Sequence, residues 1–208
     1  MSKIERVGVV GGGQMGGGIA EVSAKGGVDV IVYEPTEEFA AGSKKRITAS
    51  LDKAVEKGKL SAEDRDAALG RLTFTTALTD LADRQLVIEA IVEDENVKAK
   101  LFAELDAIIT DPDAVLASNT SSIPIMKIAA ATKNPQRVLG LHFFNPVPVL
   151  PLVELVATLV TNEKAVVAVA EFAGQTLGKK VVRCTDRSGF IVNALLVPYL
   201  LSAIRMAE

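Results

Sequence analysis

The stretch Val7-Gly8-Val9-Val10-Gly11-Gly12-Gly13-Gln14-Met15-Gly16-Gly17-Gly18-Ile19-Ala20 decides the fold, because a short apolar strand breaks there into glycines and re-forms as a helix. Gly11, Gly13 and Gly16 stand in the G-x-G-x-x-G spacing. The first glycine permits a tight turn, the second lets a pyrophosphate approach bare backbone, and the third lets the helix pack close to the sheet. A helix opening at Gln14 and Met15 turns unpaired N–H groups and its positive end toward such phosphates. Glycine-rich turns also occur with no ligand, so the next strand has to decide. That strand, 28–33, runs into Glu34, which lies 23 residues after Gly11. The distance is close to the ~20 residues expected of a carboxylate that binds adenosine ribose hydroxyls. A carboxylate there repels a 2′-phosphate, and Pro35-Thr36 supplies no arginine to receive one, so NAD is favoured over NADP.

Composition narrows the classes. With 208 residues, 49% of them apolar, the chain has room for one large domain or for a domain and part of another. A net charge of −3 gives no electrostatic reason to bind nucleic acid or an anionic membrane. Seven Phe, two Tyr and no Trp leave little for base stacking. The one cysteine, Cys184, excludes an intrachain disulfide and suits a reducing compartment. Without paired Cys/His spacing there is no metal motif, and Cys184 reads as a small buried hydrophobe. Lys3 and Arg6 precede an apolar run, as in a secretory leader, but Gly8 breaks the run and no cleavage site follows. The expectation is a first strand in a cytoplasmic protein. The uncharged runs 138–153 and 188–204 are short for a membrane span and contain Asn and Pro.

Helical patterns at 37–57, 61–70, 96–109 and 125–131 alternate with strand patterns at 72–75, 86–92, 114–118 and 138–141. Such alternation predicts an α/β fold, a Rossmann-like doubly wound and mostly parallel sheet with ligands beyond the carboxyl ends of its strands. Three strand ends then meet at one crevice: Glu93, the run Asn119-Thr120-Ser121-Ser122, and the run His142-Phe143-Phe144-Asn145-Pro146. A strand at 152–156 carries Glu154, a helix spans 163–177 up to Gly178, and a last strand covers 180–184. From Ser188 the chain is helical and apolar on nearly every face, a pattern that calls for burial. We therefore expect a dinucleotide-binding unit over 1–186 and the truncated start of a helical unit over 187–208, covered by a second domain or another chain.

His142 is the only histidine and the natural acceptor of a hydroxyl proton if a hydride leaves an alcohol, although a lone histidine also serves in plain structural roles. Glu154, twelve residues on across a Pro-rich turn, is placed to approach the other ring nitrogen and fix the tautomer. Ser121, Asn145 and Asn193 offer hydrogen bonds to a reacting oxygen or a nicotinamide amide, and are equally turn or cap residues. Gln14, Met15 and Asn119 join the glycines as candidate cofactor contacts.

The stretches VGVVGGGQMGGGIA (7–20), VIEAIVEDENVKAKLF (87–102), ASNTSSIPI (117–125), GLHFFNPVPVLPLVELV (140–156) and DRSGFIVNALLVPYLLSAIRMAE (186–208) together resemble the short-chain L-3-hydroxyacyl-CoA dehydrogenases, which include bacterial 3-hydroxybutyryl-CoA dehydrogenases. The resemblance implies NAD-dependent oxidation of a short (S)-3-hydroxyacyl-CoA to the 3-oxoacyl-CoA, in fatty-acid β-oxidation or butanoate metabolism. It implies His142 as catalytic base with Glu154 as its partner, Ser121 and Asn145 at the substrate oxygen and nicotinamide, and Asn193 as a further active-site asparagine. It also implies Glu34, Glu93 and Lys98 as NAD contacts, and Ser50 and Lys57 as contacts to coenzyme A. Lys57 equally fits a solvated helix face. Family members continue into helices that complete the acyl-CoA cleft and form a dimer, which implies a homodimer or association through the last helix. Two departures stand out: Glu34 replaces the more usual aspartate, and Ala194 stands where the family commonly has arginine. The rival expectations are an NAD-binding domain that needs a separate helical domain for turnover, and a dehydrogenase of a free hydroxy or sugar acid.

Overall fold

A computed structural model describes residues 3–208. In chain order the elements are β1 (Arg6–Val10), α1 (Gln14–Lys25), β2 (Asp29–Tyr33), α2 (Glu37–Glu56), α3 (Ala62–Gly70), β3 (Leu72–Thr75), β4 (Leu86–Glu89), α4 (Glu95–Ile108), β5 (Val115–Ser118), α5 (Ile125–Ala129), β6 (Val138–Phe143), β7 (Leu152–Ala157), α6 (Glu163–Glu171), β8 (Lys180–Thr185) and α7 (Val192–Ala207). The strands form one sheet in the order β3-β2-β1-β4-β5-β6-β7-β8. β4, β5 and β6 are buried along their whole length, which is why they read as apolar runs without polar alternation. One apolar cluster packs α1, α2 and α6 on the sheet through Ile19, Ile47, Leu51 and Val169, and a second packs α4 and α5 through Phe102, Leu105, Ile125 and Ile128. The strand order reverses between β1 and β4, and a doubly wound sheet opens its ligand crevice at such a switch point.

Local signals place several helix starts. Thr36, Ser61 and Asp94 accept from the N–H groups of Phe39, Asp64 and Val97, which fixes the first turns of α2, α3 and α4.

The sheet is mostly parallel, as expected, and four of the expected element bounds change. The sheet is parallel through β6 only, because β7 runs antiparallel to β6 and β8 then runs parallel to β7. β6 extends to Phe143, so His142 lies within a strand and not beyond its end. β4 stops at Glu89 and not at Val92, since the Glu89 carboxylate turns back to accept from Ile91 N at 2.7 Å; Glu93 therefore sits on a loop. The helix expected over 163–177 is α-helical to Glu171 and then closes in a π-turn over Phe172–Thr176. α7 begins later than Ser188, after a turn with Gly189 and Phe190 at positive φ, and none of its residues is buried against the rest of the chain. Its apolar side chains find no covering element among the described residues. No helix among the described residues is long and apolar enough to cross a membrane.

Candidate active site

The glycine turn is built as its spacing predicts. Gly11 holds φ +87°, a conformation L side chains rarely adopt, and a Cβ on Gly16 would overlap the Gly11 carbonyl oxygen. α1 starts with neither a capping side chain nor an acid in its first turn. Its positive end therefore opens into a cleft of about 830 Å³ lined by Gly11, Gly13, Glu34, Arg46 and Ile91 among others. A Cβ on Gly13 would meet nothing within 4 Å, so bare backbone faces the cleft there. Glu34 lies at the same cleft, with Oε1 accepting from Gly12 N at 2.8 Å and from Ser43 Oγ at 2.6 Å. This donor set, an open backbone turn beside a carboxylate, fits the pyrophosphate and ribose of a dinucleotide.

Beyond β4 a second cluster forms. Glu89 and Lys98 are both buried and paired, and Ser118 Oγ donates to the other Glu89 oxygen at 2.6 Å. Lys98 Nζ also lies 3.3 Å from Glu93. Glu93 accepts from Thr120 Oγ1 at 2.6 Å, Ser121 N at 2.9 Å, and the N–H and hydroxyl of Ser122. Burial alone would raise the Glu93 carboxyl, but the Thr120 hydroxyl, the Ser121 N–H and the Lys98 charge outweigh it and hold it below the usual carboxylate range. Lys98 is thus turned into the protein, and the exposed residues of the set are Glu93, Ser121 and Ser122.

The third cluster lies where the sheet reverses. The antiparallel register sets His142 opposite Glu154, and His142 Nδ1 meets Glu154 Oε2 at 2.7 Å with both side chains buried. Glu154 Oε1 accepts from the backbone N–H groups of Ile191 (3.0 Å) and Val192 (2.9 Å), where α7 begins. With a carboxylate as its neighbour Nδ1 carries the proton, which leaves Nε2 as the acceptor. No hydrogen bond to Nε2 occurs among the described residues. Phe144 and Phe190 flank the imidazole, with ring centroids 4.6 and 5.6 Å away. The Cys184 thiol, paired across from Val156, is pushed up to about 11 by burial and by the negative charges of Glu154 and Asp186.

Links between the clusters are few but direct. Gln14 Nε2 donates to Asn145 Oδ1 at 3.2 Å, tying the start of α1 to the loop after β6, and Asn119 Oδ1 accepts from Phe143 N at 2.8 Å. Met15 is half-buried on α1, and Asn193 follows Val192 in the first turn of α7, so it stands beside Glu154's backbone partners. Ser50 and Lys57 lie apart from these clusters on α2 and just past it. Ser50 lies near the Glu21 carboxyl of α1, which burial holds above its ordinary value, and Lys57 is exposed. Not anticipated from the sequence as parts of these clusters were Ser43, Arg46, Glu89 and Ser118. Only Glu89 carried a signal, as the single acid in an apolar strand, where a buried charge demands a partner. Among the described residues no group of three or more His, Cys, Asp or Glu is arranged to hold a metal ion.

A glycine turn beside a carboxylate, with a buried His–Glu pair at the reversal of the sheet, defines the class of dinucleotide-dependent dehydrogenases. The family described as 3-hydroxyacyl-CoA dehydrogenase, NAD binding domain, matches residues 6–187, and the chain belongs to it. It is 72% identical over 205 residues to a 3-hydroxybutyryl-CoA dehydrogenase of Mycobacterium tuberculosis, covering 99% of this chain and 72% of that protein. The crystal structure of M. tuberculosis FadB2 superposes with a TM-score of 0.98 at 71% identity, covering 100% of this chain and 73% of that one. A 3-hydroxybutyryl-CoA dehydrogenase from Escherichia coli superposes with a TM-score of 0.96 at 44% identity, over 100% of this chain and 43% of that one.

Proposed function

We propose that the chain oxidises a short (S)-3-hydroxyacyl-CoA to the 3-oxoacyl-CoA and also runs the reverse reduction. The carrying observation is the His142–Glu154 pair, a buried imidazole with one nitrogen fixed by a carboxylate and the other left as a base. The names of the relatives support the substrate class and favour turnover over a domain that only binds the dinucleotide.

The open backbone at Gly13 and the first turn of α1, at Gln14 and Met15, would receive the pyrophosphate, and Glu34 the adenosine ribose. Bound NAD supplies the acceptor for the hydride leaving the substrate's C3. His142 Nε2 takes the proton of the 3-hydroxyl, and Glu154 Oε2 offsets the charge that then forms on the ring. Because Ile191 N and Val192 N hold Oε1, the carboxylate cannot rotate away from Nδ1. Phe144 and Phe190 keep water off the ring. Ser121, Asn145 and Asn193 are assigned to the substrate oxygen and the nicotinamide, and Asn119, Glu93 and Lys98 to shaping the cofactor end of the crevice. Ser50 and the exposed Lys57 are assigned to coenzyme A, whose phosphates call for a cation. The dinucleotide-binding unit is placed over 1–186 and the start of a helical unit over 187–208, with association through α7 and a cytoplasmic setting consistent with a single cysteine.

The test is acetoacetyl-CoA-dependent oxidation of NADH. His142→Ala is expected to lower kcat by about 10³-fold, within the range for loss of a general base. An unchanged rate would overturn the assigned base, and NADH binding without turnover in the wild-type chain would favour the binding-only reading. A free acetoacetate substrate turned over as well as its thioester, with no rise in KM for Lys57→Ala, would point to a hydroxy-acid dehydrogenase.

A further inference from the structure

Ser43 is a buried hydroxyl in the middle of α2 that the mechanism above does not use. Two acceptors lie within its reach, Glu34 Oε1 at 2.6 Å and the Gly12 carbonyl oxygen at 3.0 Å. A hydroxyl has one proton to give, and the shorter bond to a carboxylate takes it. The Gly12 carbonyl is supplied separately by Arg46 Nη1 at 2.9 Å, one turn further along α2. Gly12 N then adds a second donor to Glu34 Oε1 at 2.8 Å. Oε1 is thus fully engaged, whereas Oε2 has no hydrogen-bond partner among the described residues and its side chain lines the cleft. α2 can bring Ser43 this close only because residue 12 has no side chain; a Cβ there would sit 2.6 Å from Ser43 Oγ.

We infer that Ser43 is a positioning residue for cofactor choice, fixing the Glu34 carboxylate so that Oε2 alone is presented to the ribose and a 2′-phosphate is turned away. This rests on the dinucleotide reading of the cleft. Without the Ser43 hydroxyl the carboxylate keeps one donor and is free to turn about its terminal torsion. It then grips ribose hydroxyls less well and repels a phosphate less sharply. Arg46 lies in the same cleft, a cation that a displaced carboxylate would expose to such a phosphate.

The experiment is titration of NADH and NADPH against the full chain, read by nicotinamide fluorescence, for wild type, Ser43→Ala, Glu34→Gln and the double variant. Alanine suits the middle of a helix, so Ser43→Ala is expected to fold, with circular dichroism as the check. Ser43→Ala should weaken NADH by about fivefold and leave NADPH unchanged or tighter, so that the preference between them narrows. On a Glu34→Gln background, removing Ser43 should do nothing more to the preference. Equal losses for both cofactors, or losses at Ser43 and Glu34 that simply add, would overturn the assignment of Ser43 while leaving the cleft a dinucleotide site. A wild-type chain that binds neither cofactor would overturn the cofactor reading, and this inference with it.

Discussion

Glu154 has two carboxylate oxygens with different duties, and that asymmetry makes an amide in its place informative. In Glu154→Gln only one end of the side chain can accept. The N–H groups of Ile191 and Val192 demand an acceptor, so the amide oxygen turns to them and its NH₂ faces His142 Nδ1. Nδ1 must then accept, which moves the ring proton to Nε2 and removes the base. We expect kcat for acetoacetyl-CoA reduction or its reverse to fall by about 10³- to 10⁴-fold with the fold intact, the scale on which the same tautomer trap acts in serine-protease triads. Steady-state rates beside a thermal melt provide the check; a variant with near wild-type kcat would show that Glu154 does not set the tautomer. His142 and Glu154 were legible singly, one as the only histidine and one as an acid in an apolar strand. Their pairing was anticipated across the Pro-rich turn, but the antiparallel register that sets them opposite each other was not, because apolar runs look alike in parallel and antiparallel sheets.

Among the elements, α4 shows how a buried ion pair closes a helix end. Arg137 Nε and Nη2 bond the Asp106 carboxylate, and the guanidinium also reaches the carbonyls of Asp106, Ile109 and Asp111. Burial would raise the Asp106 carboxyl, but Arg137, the Lys133 N–H and Asn134 outweigh it and hold it below the aspartate range. A folded value below the unfolded one contributes stability above the ordinary aspartate range, lost as pH falls through the lowered value. Arg137→Ala leaves that carboxylate and three carbonyls without their cation, and is expected to cost about 3 kcal/mol or more in urea unfolding at pH 7. The difference should shrink in acid as Asp106 protonates. The caps of α2, α3 and α4 are local, because Thr36, Ser61 and Asp94 lie three residues from the N–H they serve. α5 has no such residue: its cap is Asp186, 61 and 60 positions from Ile125 and Met126, whose N–H groups it accepts at 2.9 and 2.7 Å. The bond between Ser43 and Glu34 was hidden for the same reason, since nothing in their local spacing ties one to the other.

At the scale of the whole molecule, alternation of strand and helix was enough to give the doubly wound sheet, and the reversal after β6 was the part it missed. The Pro-rich stretch Pro146 to Pro151 was the visible trace of that reversal. Outside the sheet stands α7, with Leu195, Tyr199 and Met206 about 70% or more exposed and no acid in its first turn. Apolar surface of that extent draws chains together. We expect light scattering at micromolar concentration to report a species larger than one 21.9 kDa chain, and Leu195→Glu with Leu201→Glu to return it to one. A single-chain species in the wild type would remove the idea.

The hairpin between β6 and β7 has one further consequence, for which genetic changes this enzyme family tolerates. Residues that face each other there have numbers summing to the same total, as Gly140 with Val156 and His142 with Glu154 do. Loss of a single codon between 144 and 151, with the turn redrawn at its old length, would bring Leu155 opposite the imidazole and reverse which face each later side chain occupies. Lineages should therefore keep the length of that turn constant even where residues other than Phe144 and Asn145 are exchanged within it.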